Sequence, residues 1–454
     1  MAFAPVRFLH AADARLDEAI GEIPKLAPRL ASILQDATRA AFDRFIALAI
    51  DHNVDFVLLA GNTFVEADQS LAARLTLLDA FEQLDRGGIR ALIQPGKLDP
   101  PDAWRRIPDL PENVTLLAPG PKGVVAVKRD EKVVARVGTE LLMPVRKKAR
   151  TLRDELRSES QRPVPVKIAV LAAAGDEDDA LLADWCPDET APSDVMGGDA
   201  RPVREKASSS ARADGRRRLP VDYVALGSGA ARRTLARRRG IAHNPGPLQG
   251  RGPDQNGPRG CTLVTVEEDG TLRCDFLPAA SVRWERFVVE VPASSNRDDL
   301  LARCKIQLDG VRSEACENAW IFQWILRGNR PAIDILEDEA FRRQFRQDLI
   351  NATAMPSADD VVHHLVVEAN DAAPSALAVG DPLEGDFFEA LASSRDTSSD
   401  VFRTRVSELR ELDPNWVGQL EGLLGELSTQ SIAANAERIG KQLFRGASAQ
   451  RGGR

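Results

Sequence analysis

Short apolar runs alternate with helical patterns between Val6 and about Pro278, and this alternation predicts a layered α/β domain. The runs cover residues 55–60, 91–94, 166–171 and 223–226. Runs that are apolar at nearly every position are typical of central strands that are buried on both faces. In open α/β sheets the ligand site lies beyond the carboxyl ends of the strands, so we expect these strand ends, and Asp13 after the first strand, to converge.

The pattern changes further along the chain. Residues 187–218 contain few apolar side chains and many Pro, Asp, Gly, Ser and Arg residues, which predicts a disordered insertion. Residues 283–374 show a β-α-β-α-β order, typical of a small α+β domain. Residues 375–445 have a helical pattern in which Asp413 is suited to the N-cap and Pro414 to the first helical position. Residues 446–454 are predicted to be a disordered tail.

The helical region 375–445 carries an apolar stripe. Its large side chains recur at helical spacing and include Trp416, Leu420, Leu423 and Leu427. Two interpretations remain open at this point. The stripe binds a partner helix, or it packs against the protein's own α+β domain.

Composition limits the class of protein. The chain has 454 residues, of which 43% are hydrophobic and 28% charged, an ordinary globular balance for two or three domains. A net charge of −8 argues against a surface that binds polyanions everywhere. The five cysteines form no C-x-x-C pair, which favours a reducing, cytoplasmic location. No signal segment or membrane-spanning run is evident in the sequence.

Several motifs carry a family resemblance. Residues 8–13 read Phe-Leu-His-Ala-Ala-Asp, residues 54–64 end in Gly-Asn-Thr-Phe, and residues 245–251 read Pro-Gly-Pro-Leu-Gln-Gly-Arg. With residues 222–227 and 257–260, they resemble the SbcD-like DNA repair exonuclease family of calcineurin-type metallophosphoesterases. The resemblance implies a calcineurin-like sandwich over residues 1–282 and a capping domain over residues 283–374.

The implied metal site is largely absent from the sequence. The family uses two manganese ions, and the resemblance implies that Asp13 keeps the identity of a ligand while other positions are replaced. Arg15 stands in place of a histidine, Asn62 of the bridging aspartate, Lys97 of an asparagine, Leu98 of the general-acid histidine, and Ser228 and Ala230 of two histidines. We therefore expect no catalytic residue, no bound metal and no cofactor at this vestigial site.

Two of the replacements are cationic, and this suggests how the site keeps its charge balance. We expect Arg15 and Lys97 to pair with Asp13 and Asp99, because a buried carboxylate without a partner is costly. The alternative is that these are scattered surface charges. For His10 and His243 we expect structural roles. His363 and His364 fall in a predicted strand, where adjacent side chains face opposite ways, so we do not expect them to form one site.

A basic segment flanks the strand that ends at Gly227. Its arginines are Arg232, Arg233, Arg237, Arg238 and Arg239, and the resemblance places duplex DNA on this side of the fold. The segment lacks interleaved aromatic residues that could stack on bases, so a solvated arginine-rich loop is the competing interpretation.

These observations lead to one preferred function and two alternatives. The preferred function is a catalytically inactive SbcD-like subunit of a DNA-processing complex, whose partner is an SbcC-like coiled-coil ATPase. The alternatives are an active metal-dependent phosphoesterase or DNA exonuclease with unusual ligands, and a stand-alone DNA-binding module. DNA binding and homodimer formation stay open.

Overall fold

A computed structural model describes most of the first four-fifths of the chain. The described residues are 3–18, 20, 28–117, 123–139, 164–171, 221–227, 231–236, 240–292, 295–312, 314–329, 333–353 and 360–369. The predicted insertion at 187–218, the helical region 375–445 with its Trp416 stripe, and the tail 446–454 lie outside the described residues.

The first of two large sheets carries the strands that lead to the candidate site. In spatial order its strands are β12 (Leu272–Pro278), β11 (Gly260–Val266), β1 (Val6–Ala12), β2 (Phe56–Ala60), β3 (Arg90–Gln94) and β4 (Val114–Leu116). Strands β1 to β4 are parallel, whereas β11 runs antiparallel to β1 and to β12. The carboxyl ends of β1, β2 and β3 therefore lie side by side, as the sequence predicted.

The second large sheet is also mixed. In spatial order its strands are β5 (Val125–Arg129), β6 (Lys132–Gly138), β7 (Val166–Leu171), β8 (Tyr223–Leu226), β10 (Ile241–Asn244) and β9 (Arg233–Ala236). Its four central strands run parallel and its two edge strands run antiparallel to their neighbours. A buried apolar layer that includes Phe8, Phe56, Ile168 and Val264 joins the two sheets face to face.

Helices cover the other face of the first sheet. These are α1 (Pro28–Asp51), α2 (Leu71–Arg86) and the short α3 (Pro101–Arg105). Helix α1 buries Ala41, Phe42, Phe45 and Ile46 against this face, at the spacing of an amphipathic helix. The order helix, sheet, sheet is the predicted layered α/β arrangement, and the prediction is confirmed at that level. No helix among the described residues has both the length and the apolar character needed to cross a membrane.

A third sheet follows in the chain, and its elements lie in the predicted β-α-β-α-β order. They are β13 (Val282–Val291), α4 (Arg297–Asp309), β14 (Ala319–Gly328), α5 (Glu339–Ala352) and β15 (Val361–Ala369). The three strands are parallel. One face packs on α4 and α5, and the start of the other packs on α1 through Val282, Trp284 and Ile321. The capping function that the resemblance implies for this region stays a prediction.

Three histidines are buried within the described part of the chain: His10, His243 and His363. His10 contacts the Tyr223 hydroxyl through Nδ1 at 2.9 Å, and His243 bridges Thr234 and Thr262 at 2.8 Å each. On β15, His363 is buried while His364 is exposed, because neighbouring side chains of a strand face opposite ways. The Trp324 indole donates to Nδ1 of His363 at 2.9 Å, so this nitrogen carries no proton. Each of these hydrogen bonds joins a buried imidazole to another side chain of the protein.

Burial keeps these imidazoles neutral. It lowers the pKa of His10 to about 3 and the pKa of His363 to about 3. Burial, with smaller contributions from His10 and Arg232, also lowers the pKa of His243 well below its usual value. The folded chain thus binds fewer protons than the unfolded chain once the pH falls below the ordinary histidine range.

Acidification should therefore weaken the fold. Between about pH 8 and pH 5, His10 and His363 should each lower the free energy of unfolding by about 2 kcal/mol, because only the unfolded state is protonated there. Urea unfolding at both pH values measures this loss. The variant His363→Gln should show a smaller pH dependence than the native chain. Equal pH dependence in the variant and the native chain would contradict the assignment.

Candidate functional site

Three polar side chains meet beyond the carboxyl ends of β1, β2 and β3. The amide nitrogen Nδ2 of Asn62 donates to Oδ1 of Asp13 at 3.1 Å. The backbone N–H of Asn62 donates to Oδ1 of Asp99 at 2.9 Å. The structure thus brings together Asp13, Asn62 and Asp99, whose convergence the sequence predicted.

The loop after β1 has an unusual backbone. Asp13 and Arg15 have φ angles of 50° and 43°, in the left-handed region that few non-glycine residues adopt. Backbone N–H groups of Asp13, Arg15 and Leu16 donate to the carbonyls of Gly61, Asn62 and Thr63, which holds the loop beside the end of β2. Such strained residues cluster at functional sites, where surrounding contacts hold them in place.

Asp13 is held by two arginines. Arg15 Nε lies 2.8 Å from Asp13 Oδ1, and Arg251 Nη2 lies 2.5 Å from Asp13 Oδ2. Arg251 also donates through Nη1 to the Asp13 carbonyl at 3.0 Å. Both carboxylate oxygens of Asp13 are therefore occupied by donors of this chain. The expected pairing of Arg15 with Asp13 is present.

Glu18 completes the ion-pair network. Arg15 Nη1 lies 3.0 Å from Glu18 Oε1, and Arg251 Nε lies 2.7 Å from Glu18 Oε2. Burial opposes the charge of Arg15, but the carboxylates of Asp13 and Glu18 outweigh this effect and raise its pKa. Arg251 and Glu18 were not among the candidates chosen from the sequence. Arg251 does lie in the segment 245–251 that carries the family resemblance, which was the one signal for it.

Asp99 accepts four hydrogen bonds and is fully buried. Its Oδ1 accepts from the backbone N–H groups of Asn62 and Gly96, and its Oδ2 accepts from Thr63 N–H and the Trp104 indole, over 2.7–3.1 Å. Burial raises the pKa of Asp99, and these donors oppose the rise. Since all four partners donate, the site is built for the ionised carboxylate.

The prediction that Lys97 pairs with Asp99 was wrong. Lys97 is exposed, and within the described part of the chain it forms no ion pair with Asp99. The carboxylate is satisfied by neutral N–H donors from the loops after β2 and β3. A buried pocket lined by N–H groups stabilises a carboxylate without the cost of burying a lysine ammonium group. Asp99 thus has no cationic partner among these donors, whereas Asp13 has Arg251 in addition to Arg15.

The loops after β2 and β3 contact each other closely at Asn62. Oδ1 of Asn62 accepts from the backbone N–H of Leu98 at 3.1 Å, so the amide group of Asn62 directs its nitrogen towards Asp13. A Cβ atom on Gly96 would lie 2.5 Å from Asn62 N and Oδ1. Only glycine permits this close approach of the two loops.

The segment around Arg251 connects the site to the third sheet. Pro247 pairs with Ala12, directly before Asp13, and Gly257 pairs with Trp284 on β13. The buried Gln249 donates to Val282 O at 2.8 Å and accepts from Ser281 N at 3.0 Å. The same segment therefore contacts the end of β1 and the start of β13.

The basic segment is only partly described. Arg233 starts β9 opposite Asn244, at the end of the sheet where Pro247 approaches Ala12. The Arg232 guanidinium donates to Cys274 O at 3.2 Å and lies 5.2 Å from the Phe276 ring centroid. Arg237, Arg238 and Arg239 lie outside the described residues, as do Ser228 and Ala230 of the vestigial site.

The described donor set does not fit the metal pair that the resemblance implies. A two-metal site needs oxygen and imidazole ligands with free lone pairs. Asp13 is paired with two guanidinium groups, Asn62 presents its NH₂ group, and Asp99 is enclosed by N–H donors. In the described ranges, no three His, Cys, Asp or Glu side chains are placed to hold a metal ion.

The fold and its relatives define the class of protein. Two mixed sheets packed face to face, with a polar site at the carboxyl ends of parallel strands, fit a metallophosphoesterase-like α/β fold. No family model matches the chain. The chain is 26% identical over 356 residues to YhaO of Bacillus subtilis strain 168, an uncharacterized metallophosphoesterase, and the match covers 74% of this chain and 79% of YhaO. This similarity supports the metallophosphoesterase superfamily.

Mutations can distinguish the N–H donors observed around Asp99 from an ion pair between Lys97 and Asp99. Asp99→Asn should cost about 2–4 kcal/mol, because either amide orientation directs NH₂ at buried N–H donors. Lys97→Met should stay within about 0.5 kcal/mol of the native chain, since Lys97 is exposed. Chemical denaturation at neutral pH compares the two variants. A larger loss for Lys97→Met than for Asp99→Asn would restore the lysine–carboxylate pair.

Proposed function

We propose that this protein is a catalytically inactive, SbcD-like member of the metallophosphoesterase superfamily. The observation that carries the proposal is the pairing of Asp13 with Arg15 and Arg251, at 2.8 and 2.5 Å. A carboxylate that binds two guanidinium groups has no free oxygen to bind a catalytic cation. The apolar Leu98 in place of the family's general acid supports the same conclusion.

The proposal includes a role in DNA processing with an SbcC-like coiled-coil ATPase. Its support is the sequence resemblance and the apolar stripe at Trp416, Leu420, Leu423 and Leu427. A scaffold that retains the fold but not the catalytic ligands would serve as a structural or regulatory subunit. DNA is a further proposed partner, contacted by the basic residues around Arg233. An active phosphoesterase with unusual ligands is the alternative that the activity test addresses.

The first test is catalytic silence. The purified chain should leave bis-p-nitrophenyl phosphate and linear duplex DNA intact in the presence of manganese, because the described site has no free ligand set. An active metallophosphoesterase assayed in the same buffer is the positive control. Turnover that disappears in the Asp13→Ala variant would establish an enzyme and overturn the proposal. Turnover unaffected by Asp13→Ala would indicate a contaminating nuclease.

The second test concerns the ATPase partner. Replacing Trp416 and Leu420 together by alanine should abolish co-purification with a coiled-coil ATPase, since large apolar anchors dominate helix-in-groove contacts at roughly 2 kcal/mol or more each. The thermal transition of the rest of the chain should change little. Leu71→Ala with Leu75→Ala, on the exposed side of α2, is the matched control. Loss of global stability with retained partner binding would assign the stripe to an internal core.

A further inference from the structure

Four side chains at the end of β1 form a closed ring of charges. Each carboxylate, Asp13 and Glu18, contacts both guanidinium groups, and each guanidinium, Arg15 and Arg251, contacts both carboxylates. The four contact distances are 2.8, 2.5, 3.0 and 2.7 Å. We call these four residues the charge ring.

The charge ring is balanced and largely removed from water. It holds two negative and two positive groups, and side-chain exposure is 7% for Arg251, 11% for Asp13, 29% for Arg15 and 30% for Glu18. Ion pairs at this depth are screened far less than surface pairs. Removal of the guanidinium groups alone would leave two carboxylates close together without compensation.

The ring also fixes a strained loop. Asp13 and Arg15 both have left-handed backbone angles, and Asp17 follows with a φ of 62°. Such conformations persist only where surrounding contacts hold them. Arg251 holds this loop twice, through the Asp13 side chain and through its carbonyl at 3.0 Å.

We infer that Arg15 and Arg251 act as built-in counter-cations, which hold the Asp13–Glu18 loop by neutralising its two carboxylates. The inference rests on the proposed function and deepens it, because it names the groups that would take the place of a bound cation. It has a specific consequence. The stability of the native chain should not change with divalent cations. A chain that lacks the guanidinium groups of both Arg15 and Arg251 should be stabilised by divalent cations, because its hard carboxylate oxygens then lie close together with no positive charge between them.

Thermal unfolding of the full chain, in EDTA and then in manganese, tests the inference. The native midpoint should not change with manganese. The double variant Arg15→Gln with Arg251→Met should have a lower midpoint in EDTA, and manganese should raise it by roughly 2–5 °C. The control is Arg105→Gln with Arg273→Met, which removes two exposed ion-pairing arginines and should behave like the native chain.

Two results would contradict the inference. A saturable rise of the native midpoint with manganese, or manganese bound to the native chain by electron paramagnetic resonance, would overturn it. A double variant that folds but shows no greater response than the control would also overturn it.

If the double variant does not fold, the single variant Arg251→Met is compared with Arg251→Met combined with Asp13→Asn. Neutralising Asp13 should then raise the midpoint of the Arg251 variant, and a further fall would overturn the inference.

These results separate the inference from the proposed function. Manganese binding by the native chain without turnover would contradict only the inference. Turnover that needs Asp13 but no divalent cation would contradict only the proposed catalytic silence.

Discussion

A buried carboxylate must be met by donors, and the end of the first sheet is organised by this requirement. Asp13 and Asp99 lie beyond β1 and β3, the parallel strands on either side of β2, and both side chains are buried from water. Asp13 is met by two guanidinium groups and Asp99 by four N–H groups. Both solutions use groups of the chain itself, so the loops that supply the donors are held in fixed positions.

The same donors join parts of the chain that are distant in sequence. The N–H groups around Asp99 come from the loops after β2 and β3, and Gly96 is needed because a Cβ atom would collide with Asn62. Arg251 reaches Asp13 from a segment that also pairs with β13 through Gly257. One continuous segment of backbone therefore contacts both the charge ring and the third sheet.

The fold of this chain is metallophosphoesterase-like, whereas its described site is filled by ion pairs and hydrogen bonds between its own side chains. The two packed sheets and the convergent strand ends are those expected of a metallophosphoesterase-like fold, and YhaO supports this placement. In the described site, the side chains bind each other rather than presenting free lone pairs. Arginine is suited to such a network because its planar guanidinium group can contact two carboxylates at once, and it keeps its charge when partly buried.

The sequence by itself determined the layered architecture and the place of the site. Apolar runs that end in glycine or polar residues predicted β2, β3 and β8, and parallel strands bring Asp13, Asn62 and Asp99 to one edge. Only the tertiary structure decided which cation meets which carboxylate. Lys97, two positions from Asp99, is exposed and is not among its hydrogen-bond partners, whereas Arg251, 238 positions from Asp13, contacts both its side chain and its carbonyl. Proximity along the chain predicted Arg15 as a partner of Asp13 but not Arg251, because the energy of an ion pair depends on distances and burial that arise when remote segments pack together.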